Sequence, residues 1–243
     1  MSGPMADAFA PMAEFLASIG ADLPATPSAI LVVTAHWEAP VVTVTGGTAP
    51  ELIYDYYGFP PETYELTYRA PGAPGLADDA AALLRDAGIT AEVDPAHGWD
   101  HGVFIPLKVM YPDAEVPVVA MSLRTGLDPG EHIAMGVALR PLRDRGVLIV
   151  GSGMSFHNLR ALDDARSAAE FDRWLDTALR GDAEHRRTSL ERWTSAPSGR
   201  AAHPREEHLL PLMVTSGAGS DEPGTKLWAG AIGRTAVAAW SFD

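Results

Sequence analysis

The apolar positions of the chain follow two spacings, and each spacing predicts one kind of element. Continuous or alternating apolar runs predict strands over residues 29–36, 41–45, 89–93, 116–123, 146–152 and 231–242. Apolar residues at helical spacing predict helices over residues 6–20, 76–87, 102–110, 129–145, 163–180 and 204–215. Because strands and helices alternate along the chain, the pattern predicts an α/β fold, in which helices flank a central mixed, partly parallel sheet.

The composition is that of a single domain spanning residues 1–243. Hydrophobic residues make up 47% of the 243 positions, which suffices for a substantial core. No Ser/Gly-rich linker and no internal repeat divides the sequence, and residues 55–74, rich in Tyr, Pro and Gly, predict an ordered surface loop. No apolar run reaches the ~18 residues of a membrane span, and no signal peptide is recognisable. We therefore expect a cytoplasmic protein, either a monomer or a homo-oligomer.

Charge and cysteine content exclude several function classes. The net charge of −14 argues against binding to nucleic acid, which requires a basic surface, and against binding to anionic membranes. The sequence contains no cysteine, so it has no disulfide, no thiolate metal site and no cysteine nucleophile. A bound metal would need His, Asp or Glu ligands, which suit iron, manganese or zinc.

Two histidines follow strands that the pattern predicts to be buried. His36 ends the apolar run 29–36, and His157 follows the small-residue turn after strand 146–152. Ligands in α/β sheets collect at the carboxyl ends of strands, where a rigid backbone aims the side chains well. These positions favour a functional site, although a single histidine is more often an ordinary surface or core residue.

Two further histidines lie near the starts of predicted helices. His208 lies in the helix over 204–215, between Glu207 and an apolar stripe. His101 follows Asp100, whose carboxylate either accepts a hydrogen bond from an imidazole or caps the next helix. Three other histidines are expected to be exposed and are given no role: His97, His132 and His185.

Seven short motifs occur along the chain in the order found in one known family. They are Val32-Val-Thr-Ala-His36-Trp37, Tyr54-Asp-Tyr-Tyr-Gly-Phe-Pro60, Tyr68-Arg-Ala-Pro-Gly72, Trp99-Asp-His101-Gly102, Met110-Tyr-Pro-Asp-Ala114, Gly151-Ser-Gly153…His157-Asn-Leu159 and His203-Pro-Arg-Glu-Glu-His208-Leu-Leu-Pro211. In this series the sequence resembles the 4,5-DOPA extradiol dioxygenase family, which belongs to the class III (LigB-type) extradiol ring-cleavage dioxygenases. The resemblance covers nearly the whole chain. No single motif is decisive, but the seven motifs in series are specific for the family.

The resemblance implies a non-haem Fe(II) enzyme that inserts O2 into a small aromatic diol. The substrate would be a DOPA-like catechol, and the product would be a ring-opened semialdehyde. Iron that is bound by imidazoles on one face keeps other positions open for both substrate oxygens and for O2. Zinc can occupy the same kind of site in purified protein.

The resemblance also implies roles for individual histidines. By residue match, His36 and His208 are metal ligands, and His157 lies at the metal as a further ligand or as the acid/base. A catechol must lose protons to bind iron, and an imidazole, whose ordinary pKa lies near neutrality, can take one. His157 is the first choice for this catalytic role. His101, which is expected to face the substrate, is the second choice.

Four other residues of these motifs have two interpretations each. Trp99 and Tyr57 are either substrate contacts or packing residues. The wider class uses a glutamate as the third metal ligand, so Glu206 or Glu207 could take the place of His208. Alternatively, both carboxylates stabilise the positive end of the helix predicted over 204–215.

The sequence departs from the family at its start. Family members open with a strand that ends in His-Gly-Ser-Pro, and the resemblance makes this histidine a metal ligand. Here the chain begins Met1-Ser-Gly-Pro-Met5, so Met1 falls on the position of that histidine. Either the natural protein carries the strand upstream, or it lacks both strand and ligand. The second case predicts an inactive metal- or ligand-binding relative.

A different enzyme class is also open. The same histidines would suit a zinc-dependent hydrolase.

Overall fold

A computed structural model describes the backbone of residues 4–243 and the side chains from residue 8 onward. Its strands are β1 (Ala29–Ala39), β2 (Val42–Thr45), β3 (Ala91–Asp94), β4 (Val118–Arg124), β5 (Val147–Ser152), β6 (Thr225–Ile232) and β7 (Thr235–Ser241). Its α-helices are α1 (Pro4–Asp22), α2 (Pro74–Asp86), α3 (His101–Met110), α4 (Pro129–Leu139), α5 (Ala165–Leu179), α6 (Ala183–Glu191), α7 (Gly199–Ala202) and α8 (Leu210–Ala218). Met1, where the family has a histidine, lies outside the described residues.

The chain folds into two compact units. Unit 1 contains the residues up to Thr125 together with Pro141–Ser152, and unit 2 contains Gly126–Arg140 and Gly153–Asp243. Unit 1 thus holds β1 to β5 with α1 to α3, and unit 2 holds α4 to α8 with β6 and β7. The single domain, the cytoplasmic location and the oligomeric state stay predictions. Between residues 4 and 243, no helix is both long enough and apolar enough to cross a membrane.

The strands of unit 1 form a mixed sheet in the order β3-β2-β4-β1-β5. β1 runs parallel to its neighbours β4 and β5, whereas β2 runs parallel to β3 but antiparallel to β4. Residues 30–33 of β1 are fully buried, because a strand that is covered on both faces needs apolar side chains at successive positions. The predicted α/β fold with a mixed, partly parallel sheet is confirmed.

The ladder between β1 and β4 is interrupted where β1 reaches its histidine. The pairing shifts in register between Val33 and Glu38. Such irregularities bend a strand and re-aim its side chains, and they are common beside functional sites. Ala35 is still 3% exposed, whereas His36 is an exposed residue. The register shift explains how a core strand presents an imidazole near its end.

Helices α4 and α8 pack closely in unit 2 because glycines lie at their contact. A Cβ on Gly136 of α4 would overlap the carbonyl oxygen of Val214 in α8. His132, in the first turn of α4, is 0% exposed, and its Nδ1 lies 2.7 Å from the carbonyl oxygen of Asp128. The predicted exposure of His132 is therefore wrong, because α4 is packed against both α6 and α8.

The helix predicted over residues 204–215 begins later than the sequence pattern indicates. In the structure α8 starts at Leu210, with Pro211 in its first turn, where a missing N–H costs no hydrogen bond. Residues 204–209 form bends and turns instead. The acidic pair before His208 therefore precedes the helix, and its predicted place in the first helical turn is wrong.

Two other boundaries differ from the predicted ones. The helix predicted over 129–145 ends at Leu139 and continues as a 3-10 helix, because Pro141 has no N–H for an α-helical hydrogen bond. The single strand predicted over 231–242 is not one strand. This range contains the end of β6, a turn and β7, and β6 and β7 pair as an antiparallel hairpin.

Candidate metal centres

Hydrogen bonds tie the end of β1 to the start of α3. The hydroxyl of Thr34 accepts from the backbone N–H of His36 (3.2 Å) and donates to Oδ1 of Asp100 (2.8 Å). Asp100 caps α3, since its Oδ1 also accepts from the N–H of Gly102 (2.8 Å). Burial raises the pKa of Asp100, and the hydrogen bond from Thr34 opposes this rise. Of the two interpretations of Asp100, the structure supports the helix cap.

Gly102 makes this junction sterically feasible. A Cβ at Gly102 would lie 2.7 Å from Oγ1 of Thr34 and 2.9 Å from Oδ1 of Asp100, so a larger residue would push them apart. Ser152, at the end of β5, donates a hydrogen bond to the carbonyl oxygen of Gly102. Two adjacent strands therefore hold the first turn of α3, and with it His101, in place.

Asp55 joins two imidazoles into the first candidate centre. Its Oδ2 lies 3.0 Å from Nδ1 of His36, and its Oδ1 lies 2.8 Å from Nδ1 of His101. The two rings meet edge to face, with centroids 3.9 Å apart. Burial would raise the pKa of Asp55, but the hydrogen bonds with His101 and His36 outweigh it and hold that pKa far below its usual range. The ligand atoms of these residues all lie within 4.8 Å of one another, so they could hold one metal ion.

The second candidate centre lies in unit 2 and has the same residue types. The rings of His157 and His208 stack with centroids 3.3 Å apart and planes 11° from parallel. Oε1 of Glu207 lies 3.2 Å from Nδ1 of His208 and 3.7 Å from Nδ1 of His157. Here too the ligand atoms lie within 4.8 Å of one another. Two imidazoles and one carboxylate thus converge in this unit as well.

Backbone contacts position the loop that carries His157. The N–H of Met154 donates to the carbonyl oxygen of His208 (3.0 Å), and the N–H of His157 donates to that of Ala202 (3.0 Å). Gly153 permits this approach, because a Cβ there would overlap the carbonyl oxygen of His208. The stacking of the two imidazoles therefore depends on backbone pairing between two distant stretches of sequence.

His203 fixes the same loop from within the core of unit 2. Its Nε2 lies 3.1 Å from the carbonyl oxygen of Ser155, and its ring lies edge-on to Phe171 and Trp193. The side chain is 0% exposed, and burial lowers its pKa to about 4. At neutral pH the imidazole is therefore uncharged, with Nε2–H donating to Ser155.

Comparison with known proteins identifies the family. The family described as the catalytic LigB subunit of aromatic ring-opening dioxygenase matches residues 1–238. The chain belongs to this family. The LigB match includes residues of both units, so membership concerns nearly the whole chain rather than one part of it.

Individual relatives agree with the LigB assignment. The dioxygenase tasH of Hapsidospora irregularis is 45% identical over 81% of this chain, and the match covers 65% of that relative, just under two thirds of its length. The 4,5-DOPA dioxygenase extradiol of Beta vulgaris is 39% identical over 85% of this chain and 80% of its own length. The crystal structure of an uncharacterized protein from Escherichia coli K12 superimposes with a TM-score of 0.79 at 30% identity, covering 94% of this chain and 91% of that one.

The predicted LigB-type family is thereby confirmed, and the structure groups its candidate residues in pairs. His36 lies with His101, and His157 lies with His208. The predicted ligand set of His36, His157 and His208 draws on both units and stays a prediction, as do the catalytic roles of His157 and His101.

Each of the two clusters also contains a carboxylate. Asp55 was missed, although it is the one acidic residue of the motif Tyr54–Pro60. The sequence indicates Glu207 only together with Glu206, as an alternative metal ligand. The structure separates the two, because Glu206 pairs with Arg200 (2.6 Å) while Glu207 faces the imidazoles.

The predicted substrate contacts of this LigB-family chain occupy different environments. Trp99 is 0% exposed in the core of unit 1, which favours its interpretation as a packing residue. Tyr57 is 91% exposed. Its neighbour Tyr56 instead lies edge-on to His101, with ring centroids 5.5 Å apart. Roles of Trp99 and Tyr57 in substrate binding stay predictions.

Two histidines without a predicted role differ in their surroundings. His185 is exposed on α6, as predicted. His97 is half-buried, because its ring stacks on Trp37 with centroids 3.7 Å apart and planes 8° from parallel. The predicted exposure of His97 is therefore wrong.

Proposed function

We propose that this LigB-family protein is a non-haem Fe(II)-dependent extradiol dioxygenase that opens the ring of a small catechol with O2. The observation that carries the proposal is the grouping of two imidazoles with one carboxylate in each unit, in a chain that matches the family throughout. Relatives named 4,5-DOPA dioxygenase extradiol support a DOPA-like catechol as the substrate class. The product would be a ring-opened semialdehyde.

The donor atoms of both centres suit iron. Imidazole nitrogens and carboxylate oxygens, without a thiolate, are the ligands of non-haem Fe(II) oxygenases, and zinc also accepts them. When bound, Fe(II) supplies open positions for both catechol oxygens and for O2. We propose His36 and His208 as ligands, with His157 as a further ligand or as the acid/base.

The protein's own part in the reaction is proton transfer and orientation. A catechol gives up protons when both of its oxygens bind, and an imidazole within hydrogen-bond reach can take one and return it later. His157 is the proposed group for this transfer, with His101 as the second candidate. The LigB match favours this chemistry over the zinc-dependent hydrolase.

The test is anaerobic loading of the protein with Fe(II), followed by L-DOPA or catechol in oxygenated buffer. We expect one O2 to be consumed per catechol and a yellow semialdehyde to form. His36→Ala and His208→Ala should lose bound iron, while His157→Asn should lose about 100- to 10,000-fold in turnover. His185→Ala, on the exposed face of α6, is the matched control and should behave as the wild type.

Two results would contradict the proposal. Iron-loaded protein that consumes no O2 with any catechol would refute the activity. Wild-type iron content in both His36→Ala and His208→Ala would refute the ligand assignment.

A further inference from the structure

Asp55 makes one contact with each imidazole of the first candidate centre. Oδ2 of Asp55 lies 3.0 Å from Nδ1 of His36, and Oδ1 lies 2.8 Å from Nδ1 of His101. A carboxylate without a proton only accepts hydrogen bonds, so both Nδ1 atoms must carry the proton. In a neutral imidazole that leaves Nε2 as the nitrogen with the lone pair that binds a metal or accepts a proton.

We propose that Asp55 is a positioning residue that holds His36 and His101 together in the tautomer with hydrogen on Nδ1. It thereby directs Nε2 of His36 towards metal binding and Nε2 of His101 towards proton exchange with the substrate. This inference rests on the proposed function for the tasks of the two histidines. The shared tautomer itself follows from the geometry of Asp55.

The carboxylate is fixed by contacts beyond the two rings. Its Oδ1 also accepts a hydrogen bond from the backbone N–H of His101 (2.9 Å), and the side chain is only 23% exposed. Three donors therefore set the orientation of one carboxylate. A carboxylate held in this way can dictate the orientation of its partners, whereas a freely rotating one would follow them.

The backbone before Asp55 is anchored to the backbone before His101. The N–H of Ile53 donates to the carbonyl oxygen of Trp99 (2.7 Å), and the N–H of Trp99 donates to that of Glu51 (2.8 Å). These two bonds form a short parallel bridge, after which one chain leads to Asp55 and the other to His101. The distance between the carboxylate and the imidazole is thus set by backbone pairing, and a side-chain substitution can remove the contact without moving the loop.

The main alternative is that Asp55 itself binds the metal beside the two histidines. In that arrangement the histidine nitrogens nearest to Asp55, the Nδ1 atoms, would also face the ion. The observed spacing of 2.8 Å and 3.0 Å is that of hydrogen bonds, and it equally suits neighbouring ligands of one ion. The two roles predict different coordinating nitrogens, so they can be separated by experiment.

The first experiment reads the tautomers in the metal-free protein by long-range ¹H–¹⁵N correlation of the imidazoles. At a pH of about 8.5, above the ordinary pKa of histidine, His36 and His101 should both carry hydrogen on Nδ1. Asp55→Asn offers one acceptor and one donor, so at least one of the two rings should switch to hydrogen on Nε2. Asp86→Asn removes a carboxylate at the exposed end of α2 and should leave both rings unchanged.

The second experiment titrates Zn²⁺ into the same variants. Loss of an outer carboxylate typically weakens metal binding about 10- to 100-fold, and we expect this range for Asp55→Asn and no change for Asp86→Asn. In the Zn²⁺-loaded wild type, the ¹⁵N shift of His36 should identify Nε2 as the coordinating nitrogen.

Three results would overturn the inference. These are hydrogen on Nε2 of both rings in the wild type, unchanged tautomers in Asp55→Asn, and coordination of Zn²⁺ by Nδ1 of His36. None of these readouts requires turnover. A protein with the predicted tautomers and no O2 consumption would refute the proposed function alone.

Discussion

One carboxylate lies beside the two imidazoles of each candidate centre. Asp55 contacts two Nδ1 atoms at 2.8 Å and 3.0 Å, whereas Glu207 lies 3.2 Å and 3.7 Å from its two. The first carboxylate therefore fixes its imidazoles more tightly than the second. Glu207 also pairs with Arg205 (3.3 Å), so its charge is shared between the imidazoles and a cation. Asp55 is accordingly the stronger candidate for a positioning role.

His203 should make the stability of the protein depend on pH. Its folded-state pKa of about 4 lies below the ordinary value of about 6.5, because burial disfavours the charged form. The hydrogen bond to Ser155 and the charge of Glu206 oppose this shift, while His157 and Arg200 add to it. Below the ordinary pKa the unfolded chain binds a proton that the folded chain excludes, so the free energy of unfolding falls as the pH decreases.

We expect a loss of about 1 to 3 kcal/mol from this group between about pH 7 and pH 4, measured by urea unfolding of the metal-free protein. His203→Gln, which keeps a donor for Ser155, should lose less over the same interval. His185→Gln, at an exposed position, should follow the wild type. Equal pH dependence of wild type and His203→Gln would contradict the assignment of a neutral buried imidazole.

At the scale of elements, the second centre depends on the loop that follows β5. Residues 153–157 approach the turn before α8 so closely that only glycine fits at Gly153. The bond from Met154 to the carbonyl oxygen of His208 then brings His157 alongside His208. The position of His157 is therefore a property of backbone contacts rather than of its own side chain.

Gly153→Ala should weaken Zn²⁺ binding and lower catechol turnover by about tenfold or more, because displaced ligands lose metal affinity at this scale. Gly75→Ala is the matched control, since a Cβ at Gly75 in α2 would have no heavy atom within 4 Å. That control should be neutral or slightly stabilising, because alanine favours helices. The measurement is a Zn²⁺ titration of both variants, and equal affinities would contradict the close-approach argument.

The elements that the sequence predicts best are those whose signal is local. The central strand β1 has a continuous apolar run, so its start and core were predictable from burial alone. The turn over residues 204–209 was not predictable, because a proline followed within three residues by two glutamates is also typical of a helix start. Buried His132 was missed because its burial depends on the packing of α4 against other helices.

The candidate site was predictable in its histidines and only in part in its carboxylates, since the sequence offered Glu207 as an alternative ligand but did not indicate Asp55. His36, His101, His157 and His208 belong to motifs that can be recognised in sequence. The pairing of His36 with His101 through Asp55 depends on a contact across 46 positions of sequence, for which no spacing rule exists.

For the whole molecule, family membership and local geometry support the same chemistry independently. The LigB match extends over residues 1–238, and each compact unit contains imidazoles with a carboxylate. The net charge of −14 also fits a small-molecule enzyme better than a protein that binds nucleic acid. Both therefore support the proposed ring opening of a catechol.

The most direct measurement is proton NMR of the product that iron-loaded protein forms from a catechol under O2. We expect the aromatic ring signals to disappear and aldehyde and olefinic signals to replace them. Protein heated to unfolding before iron is added provides the blank for uncatalysed oxidation. An intact aromatic ring, or a quinone as the sole product, would contradict the proposed ring opening.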